Sequence, residues 1–434
     1  MKKNIIEEIK SNLKLLLKIP VISWALYDLA NTSFAIIIIT IVFPVYFTNI
    51  IANPKIYPPN FGDLMWGLSN GLSMLLALVC APIFGAIADS SRGKSKFLTV
   101  LTLICIIFCS SLYFVGPGKI IPAMIIFILA NFFYQTSMEF YNSFLPQLST
   151  RDNTGIVSGF GFSLGYLGGF LILILTLPFI RGEFKEANLT NIRLTFLVTS
   201  AFFLIFSIPS FVFLRDLPFQ NPEEIKTSYV VHAFRKLLGT LRNIKKHKNL
   251  FIFLISYFLF SNAFSVLALY ISIYAKNTLN LSLSEIVVLF IFGQILTAFF
   301  SLFFGWVTDK IGVKTTINIT LCIWIVIIVL VATLITIKTV FYMAYILAAI
   351  VTGSTLIASR SLMTFLTPVD REAEFFGFYA VGGKFSSILG PTAFGVISFL
   401  TRNQRIALLT TLFFLIGGLA ILQLVKVPKE RTKE

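Results

Sequence analysis

Four ionisable side chains lie deep inside apolar segments of the sequence: Asp28, Glu139, Arg360 and Lys384. A charged side chain at the centre of a membrane helix costs roughly 2.5–3.5 kcal/mol on insertion scales, so it usually has a functional role. Two of the four are acidic and two are basic, so they can neutralise one another. Asp28 is the leading candidate for a proton-carrying group, because burial stabilises the neutral form of a carboxyl group that has no cation beside it. Alternatively, Asp28 caps a helix break or reaches the membrane interface.

Amide side chains occur near these charged residues at spacings that place them on the same helical faces. Asn131, Gln135 and Glu139 recur every four residues, which places them on one face of a helix. Asn31 follows the buried aspartate by about one turn, and Gln294 begins a similar polar face in a later apolar segment. A polar face is costly against lipid, so we expect it to line a cavity or to pack against another helix. The sequence leaves both interpretations open.

Two short polar loops share one pattern of residues. They contain Gly85, Asp89, Arg92 and Lys94 in the first copy and Gly305, Asp309 and Lys314 in the second. In each copy a glycine and an aspartate end an apolar segment, and basic residues follow. Such a carboxylate can accept N–H groups at the start of a neighbouring helix or pair with a cation. We expect these gating loops to make contacts in one conformational state and lose them in another. The alternative is that their charges only enforce the membrane topology.

The composition excludes several classes of protein. Charged residues are only 12% of the chain, whereas soluble domains contain roughly 25%. This excludes a secreted, disordered or nucleic-acid-binding protein, and the net charge of +16 is typical of basic loops on the cytoplasmic side of a membrane. All four cysteines lie in apolar runs and only two histidines are present, so we expect neither a disulfide framework nor a metal site. No Gly-x4-Gly-Lys motif occurs, and we expect no cofactor.

Twelve apolar segments are long enough to cross a bilayer, which needs about 20 residues per helix. They are residues 21–51, 63–88, 97–116, 119–145, 155–180, 192–214, 250–275, 284–308, 315–337, 339–366, 374–400 and 404–425. If the N terminus is cytoplasmic, 24 of the 35 Lys and Arg residues lie in cytoplasmic segments. Because basic residues favour that side, we predict that both termini are cytoplasmic.

The two halves of the chain repeat each other. Gly85 and Asp89 match Gly305 and Asp309, and three further short matches keep the same order. Both halves begin on the same side of the membrane, which is typical of transporters with a substrate site between parallel repeats. The predicted fold is therefore an all-α membrane protein of twelve transmembrane helices in two pseudo-symmetric six-helix bundles. Its predicted parts are a cytoplasmic segment at 1–20, bundles at 21–214 and 250–425, a basic cytoplasmic linker at 215–249 and a cytoplasmic tail at 426–434.

Several motifs are similar to those of one known family. The loop at 305–314 resembles the signature of the major facilitator superfamily, and three further motifs resemble its vacuolar effluxer-like branch, which includes autophagy-related amino-acid exporters. These motifs are Trp24-Ala-Leu-Tyr27-Asp28-Leu-Ala-Asn31, Arg371-Glu-Ala-Glu-Phe-Phe-Gly-Phe-Tyr379 and Gly383-Lys384-Phe385-Ser386. The resemblance implies alternating access and amino-acid efflux, and the lack of long insertions favours a bacterial inner membrane.

The resemblance also implies that spans 4 and 5 meet spans 10 and 11 across the cytoplasmic gate. We therefore predict an ion pair between Glu139 and Lys384 that bridges the bundles when the transporter opens outward, with Arg360 near Tyr166. The alternative is a permanent structural ion pair within one bundle.

The sequence thus predicts a secondary active transporter, not an enzyme. It would move a small polar solute, expected to be an amino acid, with protons as the candidate coupling ion and the monomer as the expected state in the lipid bilayer. One alternative is a membrane-embedded enzyme that modifies lipids or glycans, but the sequence lacks the clustered Asp, His or metal ligands that such an enzyme needs. Others are a sensor, or a carrier for another metabolite such as a peptide or a sugar.

Overall fold

The computed structural model describes residues 14–90, 93–149, 153–216, 247–334, 338–368 and 372–427. Twelve long helices dominate these residues, and no strand occurs among them. The first six are α1 (Ile19–Ile51), α2 (Phe61–Ser90), α3 (Lys94–Ser111), α4 (Ile120–Asn142), α5 (Thr154–Ile180) and α6 (Leu189–Phe213). The second six are α7 (Lys248–Asn277), α8 (Leu283–Ile311), α9 (Val313–Thr333), α10 (Lys338–Leu366), α11 (Glu372–Thr401) and α12 (Gln404–Gln423).

The helices have the length and composition of membrane spans. Within the described residues, eleven of them are long and apolar enough to cross a bilayer. The exception is α11, which contains Lys384 and several small or hydroxyl-bearing residues. Large apolar side chains such as Phe114, Leu400 and Phe413 are more than two-thirds exposed on the outside of the molecule. An aqueous environment would disfavour such a surface, whereas hydrocarbon accommodates it.

The helices pack as two groups of six. Helices α1–α6 contact one another extensively, as do α7–α12, and the main contacts between the groups join α2 to α11, α5 to α8 and α1 to α7. We call the side on which α1 begins and α12 ends the terminal face, and the opposite side the distal face. The terminal face is marked by Ile19, Asn142, Lys248 and Gln423. The distal face is marked by Ile51, Phe61, Asn277 and Gln404.

Helix α1 is irregular where it approaches the other bundle. Its turns widen to π-helix at Ala35–Ile41 and again at Phe47–Ile51. Such widened turns occur frequently at functional sites in helices. The backbone carbonyl of Thr40, in the first widened segment, accepts a hydrogen bond from the hydroxyl of Ser272 on α7. A polar backbone group is thereby satisfied by a side chain of the opposite bundle.

Helices α1 and α5 approach closely because α5 presents glycine to its neighbour. A Cβ atom at Gly168 would lie 2.1 Å from the backbone oxygen of Leu29. By contrast, a Cβ at Gly159, two turns earlier on α5, would meet no atom within 4 Å. Small residues allow helix backbones in membranes to come into van der Waals contact. Close helix packing therefore requires glycine at position 168 of α5, whereas no neighbouring atom requires it at position 159.

Candidate solute pathway between the bundles

Asp28 lies at the contact between α1 and α5 and is partly buried. Its Oδ1 accepts a hydrogen bond of 3.1 Å from Asn31 Nδ2, and its backbone oxygen accepts one of 2.8 Å from Thr32 Oγ1. The carboxylate faces the glycine surface of α5, since a Cβ at Gly161 or Gly165 would lie 3.4–3.5 Å from Asp28 Oδ2. Among the described residues, no Lys, Arg or His side chain forms an ion pair with it. The proton-carrying role of Asp28 stays a prediction.

Asn31 is buried within the N-terminal bundle. Besides donating to the aspartate, it accepts a hydrogen bond of 3.4 Å at Oδ1 from the hydroxyl of Tyr134 on α4. Its amide therefore links α1 to α4 and orients the neighbouring carboxylate. Both of these contacts lie inside one bundle, so the geometry assigns Asn31 a supporting position beside Asp28.

Glu139 and Lys384 form an ion pair between the bundles. Glu139 Oε1 on α4 lies 2.5 Å from Lys384 Nζ on α11. The glutamate side chain is 43% exposed and that of the lysine 18%, so the pair is open to solvent on one side only. Because the partners come from different bundles, the alternative of an ion pair within one bundle is wrong. In this structure the bundles are also in contact at the distal face, so the link between this ion pair and an outward-open state stays a prediction.

Arg360 lies against α5, one helical turn from the Tyr166 position beside which the sequence analysis expects it. Its side chain is exposed, and its guanidinium carbon lies 5.9 Å from the centre of the Phe162 ring on α5. Phe162 precedes Tyr166 by one helical turn, and among the described residues no hydrogen bond or cation–π contact joins Arg360 to Tyr166 itself. The guanidinium therefore stacks on an aromatic ring of the other bundle, an attraction of about 0.5–1 kcal/mol at exposed sites.

Asn131 and Gln135 occupy different environments despite sharing a helical face. Asn131 is fully buried, and its Nδ2 donates to Ser73 Oγ at 2.7 Å and to Asn70 Oδ1 at 3.5 Å on α2. Asn70 in turn donates to the backbone oxygen of Ser387 on α11 at 2.9 Å. This arrangement favours the packing interpretation for Asn131. Gln135 is partly buried and has no hydrogen-bond partner among the described residues, so its amide is free to face a solute.

A cavity of about 410 Å³ opens mainly among helices of the C-terminal bundle. Its wall is formed by aromatic and aliphatic side chains, with Tyr166 and Thr40 contributed by the N-terminal bundle and Gln294 and Thr297 by α8. No Asp, Glu, Lys or Arg is found among its described lining residues. The four intramembrane charges therefore lie outside the lining of this cavity, and their predicted place on the solute pathway stays a prediction. The cavity forms where the apolar faces of several helices meet. Only the tertiary arrangement shows which faces these are.

Gln294 connects this cavity to the surface of α5 that holds Asp28. Its Nε2 lies 3.3 Å from the position that a Cβ would occupy at Gly169, one turn after Gly165. One helical turn rises about 5.4 Å, so the carboxylate of Asp28 and the amide of Gln294 face adjacent turns of one helix. This juxtaposition of a carboxylate and an amide beside an apolar cavity is a suitable place for a small solute with a polar head and an apolar body.

The predicted gating loops are described only in part. Arg92 and the side chains of Asp89 and Asp309 lie outside the part of the chain that the structure describes, so their predicted contacts stay predictions. Gly85 and Gly305 lie within α2 and α8, and Lys94 is the first residue of α3. Lys314 Nζ donates to the backbone oxygens of Gln423 at 2.9 Å and Val425 at 2.7 Å, at the end of α12. This cation therefore stabilises a helix C terminus within its own bundle.

Sequence reasoning missed a buried carboxylate and an ion pair at the distal face. Asp63 is 1% exposed, and Glu183 pairs with Lys276 at 2.5 Å between Glu183 Oε2 and Lys276 Nζ. Both acids lie in or beside loops, where a charge is ordinarily solvated, so neither is conspicuous in the sequence. The sequence does contain one indication that Asp63 is unusual, because it is an acidic residue just inside an apolar segment.

The comparisons with known proteins place this geometry in a family. The family model described as "Vacuole effluxer Atg22 like" matches residues 65–434. The chain belongs to the Atg22-like vacuole effluxer family. This Atg22-like chain is 26% identical over 416 residues to the uncharacterized MFS-type transporter YxiO of Bacillus subtilis, with 95% of each chain covered. It is 24% identical over 384 residues to Autophagy-related protein 22 of Kluyveromyces lactis, with 81% of this chain and 77% of that protein covered.

Solved structures share the fold of the Atg22-like chain at low sequence identity. The D-xylose-proton symporter matches with a TM-score of 0.71 and 12% identity over 95% of this chain and 98% of that one. The nucleoside transporter NupG matches with a TM-score of 0.69 and 13% identity over 95% and 99%. The predicted all-α, major facilitator fold is confirmed. The chain is a membrane transporter of this superfamily and not an enzyme.

Proposed function

We propose that this Atg22-like transporter moves a neutral amino acid with a large apolar side chain, by rocking its two bundles about the pathway between them. The observation that carries the proposal is the cavity of about 410 Å³, which is lined by aromatic and aliphatic groups. Such a wall favours a solute with an apolar side chain and disfavours one with a charged side chain, because the charge would have no partner in the cavity.

The polar head of the solute has candidate partners beside the cavity. The Asp28 carboxylate is suited to an ammonium group, while the Gln294 amide and the Tyr166 hydroxyl are suited to a carboxylate. Asp28 and Gln294 lie against successive turns of α5, and Tyr166 belongs to α5 and lines the cavity. A zwitterion placed between them would have both of its charges satisfied while its side chain fills the cavity.

Proton coupling through Asp28 is the second part of the proposal. The carboxylate lies between helices and has no cationic partner among the described residues, so gain or loss of a proton changes the charge of the pathway itself. Direction of transport follows from the gradients of proton and solute. We further propose that the terminal face is cytoplasmic and that the protein is a monomer in a bacterial inner membrane, as the distribution of basic residues and the fold support.

The test is solute exchange by the purified protein in liposomes, with and without a pH gradient. Leucine, phenylalanine and methionine serve as large neutral candidates; lysine, glutamate, a dipeptide and a sugar serve as comparison solutes. Saturable exchange of the neutral amino acids, accelerated by the pH gradient, supports the proposal. Exchange of only the dipeptide or the sugar would overturn the proposed substrate, and an absent response to the gradient would overturn proton coupling.

A further inference from the structure

A buried carboxylate joins the bundles at the distal face. Asp63 lies in the first turn of α2, and its Oδ2 accepts hydrogen bonds from Ser398 Oγ at 2.6 Å and Gln404 Nε2 at 2.8 Å. Its backbone oxygen accepts a further bond of 2.7 Å from the hydroxyl of Tyr270. One residue of the N-terminal bundle is thus bonded to α7, α11 and α12 of the other. Separating the bundles here would leave Asp63 without these donors unless water replaced them.

A second acidic residue joins the bundles at the same face. Glu183, in the loop between α5 and α6, pairs with Lys276 at the end of α7 and also accepts a hydrogen bond of 2.7 Å at Oε1 from the backbone N–H of Leu283. The backbone of Glu183 has φ 56°, which is uncommon for a residue other than glycine. Asn188 Nδ2 donates to the Glu183 carbonyl at 3.0 Å and holds this conformation. The loop is therefore shaped to present the carboxylate to the opposite bundle.

Close packing surrounds the first of these contacts. A Cβ at Gly395 on α11 would lie 2.7 Å from the Asp63 backbone oxygen and 2.8 Å from the Tyr270 hydroxyl. A Cβ at Gly67 on α2 would lie 2.5 Å from the same hydroxyl. The helices can approach to this distance only because both positions are glycine. The Asp63 network is consequently enclosed, whereas the Glu183 pair keeps about a quarter of its side-chain surface exposed.

We propose that Asp63 and Glu183 form a two-point latch that holds the distal face closed, and that its release is the step that opens the pathway to that side. The proposal deepens the rocking transport described above and rests on it. On the other side of the pathway, the corresponding ion pair between bundles within the described residues is Glu139–Lys384. Among the described side chains the two faces therefore differ in chemistry: the terminal contact is an ion pair, whereas the distal contacts include a carboxylate buried among neutral donors.

A cysteine in place of Ser272 can report opening of the distal face. Ser272 is fully buried and donates to the backbone of Thr40 across the interface. The reporter is placed in a background without the native cysteines and is labelled with a membrane-impermeant maleimide added to the distal side. Exposed Lys55, replaced by cysteine, shows in each preparation that the reagent reaches the distal loops. Labelling of the reporter then follows the population with an open distal face.

Two variants test the latch directly. We expect Asp63→Asn to raise the labelling rate by about tenfold or more, because it removes charge-assisted hydrogen bonds. We expect Glu183→Gln to raise it by about fivefold, because a partly exposed pair contributes less. The matched control is Glu285→Gln, since Glu285 also lies at the distal face, accepts a hydrogen bond from the N–H of Ser282 at 2.6 Å and faces Lys338 at 4.0 Å, all within one bundle. This control should leave the labelling rate unchanged.

The outcomes separate the latch from the substrate proposal. No solute enters the labelling assay, so a failed amino-acid panel leaves its result intact. Equal labelling of the parent, Asp63→Asn and Glu183→Gln proteins would overturn the latch even if amino-acid exchange is found. If Asp63→Asn does not yield folded protein, Ser398→Ala removes one donor while leaving the carboxylate in place, and its labelling rate decides the question. Acceleration in the Glu285→Gln control would also overturn the latch, because the effect would then not depend on contacts between bundles.

Discussion

Glu139 of α4 and Lys384 of α11 meet across the interface of the two bundles, with 2.5 Å between Oε1 and Nζ. Each partner would be a lone charge within the thickness of the membrane if the bundles parted. Their separation is therefore coupled to the entry of water or of a counter-charge at the terminal face. An ion pair placed in this way is suited to control which face of the transporter is open.

The first prediction concerns this ion pair. Glu139→Gln removes an attraction of up to about 1 kcal/mol for a partly exposed pair, so we expect roughly a fivefold shift toward states open at the terminal face. The reversed pair Glu139→Lys with Lys384→Glu should restore the parent behaviour. Labelling of cysteines on the terminal face, together with exchange rates, measures both effects. If the reversed pair is as impaired as either single variant, a gating role for the pair is wrong.

The second prediction concerns Asp28 and pH. If this carboxyl group carries the proton, exchange by the parent protein varies steeply with pH, and exchange by Asp28→Asn is nearly independent of it. The variant keeps the size of the side chain and the hydrogen bond with Asn31. The matched control is Asp216→Asn, because Asp216 accepts a hydrogen bond of 3.2 Å from the N–H of Ser95 outside the pathway. If exchange by Asp28→Asn depends on pH as steeply as exchange by the control, Asp28 does not carry the proton.

The third prediction concerns Gln294, which contacts α5 beside the cavity. Gln294→Leu removes a hydrogen-bonding group from the proposed site of the solute head, so we expect KM for exchange to rise by about tenfold with a smaller change in kcat. Gln423→Leu is the control, because Gln423 is exposed and bonds to Asn318 at the terminal face. An unchanged KM in the Gln294 variant would place the solute elsewhere.

The fourth prediction concerns stability of the N-terminal bundle. Gly168→Ala places a methyl group against the Leu29 backbone oxygen, and such overpacking costs typically 1–3 kcal/mol. Gly159→Ala meets open space and should stabilise the helix slightly, since alanine is favoured over glycine in a helix interior by up to about 1 kcal/mol. Thermal denaturation of the two purified variants checks the contrast. Equal melting temperatures would mean that α1 and α5 are not in the close contact described here.

The fifth prediction concerns membrane orientation. A cysteine at exposed Lys55 on the distal side should react with an impermeant reagent in intact cells, whereas one at exposed Lys426 should react only after the cells are permeabilised. The expectation follows from the concentration of basic residues on the terminal side. The opposite result would place the terminal face outside the cell and overturn the proposed orientation.

The sequence by itself determined the elements and their number. Runs of about 20 apolar residues form helices in a membrane, because each backbone polar group must be satisfied within its own segment. The family also follows from local motifs, such as the run from Arg371 to Tyr379. Glu139 and Lys384 were predicted as partners because a charge in lipid requires compensation and because the family resemblance implies that spans 4 and 5 meet spans 10 and 11 at the cytoplasmic gate.

Tertiary structure alone decided what each polar side chain contacts. Asn131 and Gln135 share a helical face, yet the first is bonded between helices and the second has no hydrogen-bond partner among the described residues. Asp63 is the first residue of a predicted apolar segment, and only the packing of α7, α11 and α12 against it shows that it is buried. Helical periodicity specifies the direction in which a side chain points from its own axis, but not which helix packs there. The latch depends on contacts between residues 93 to 341 positions apart, and the apolar cavity forms between several helices, so no local pattern encodes either of them.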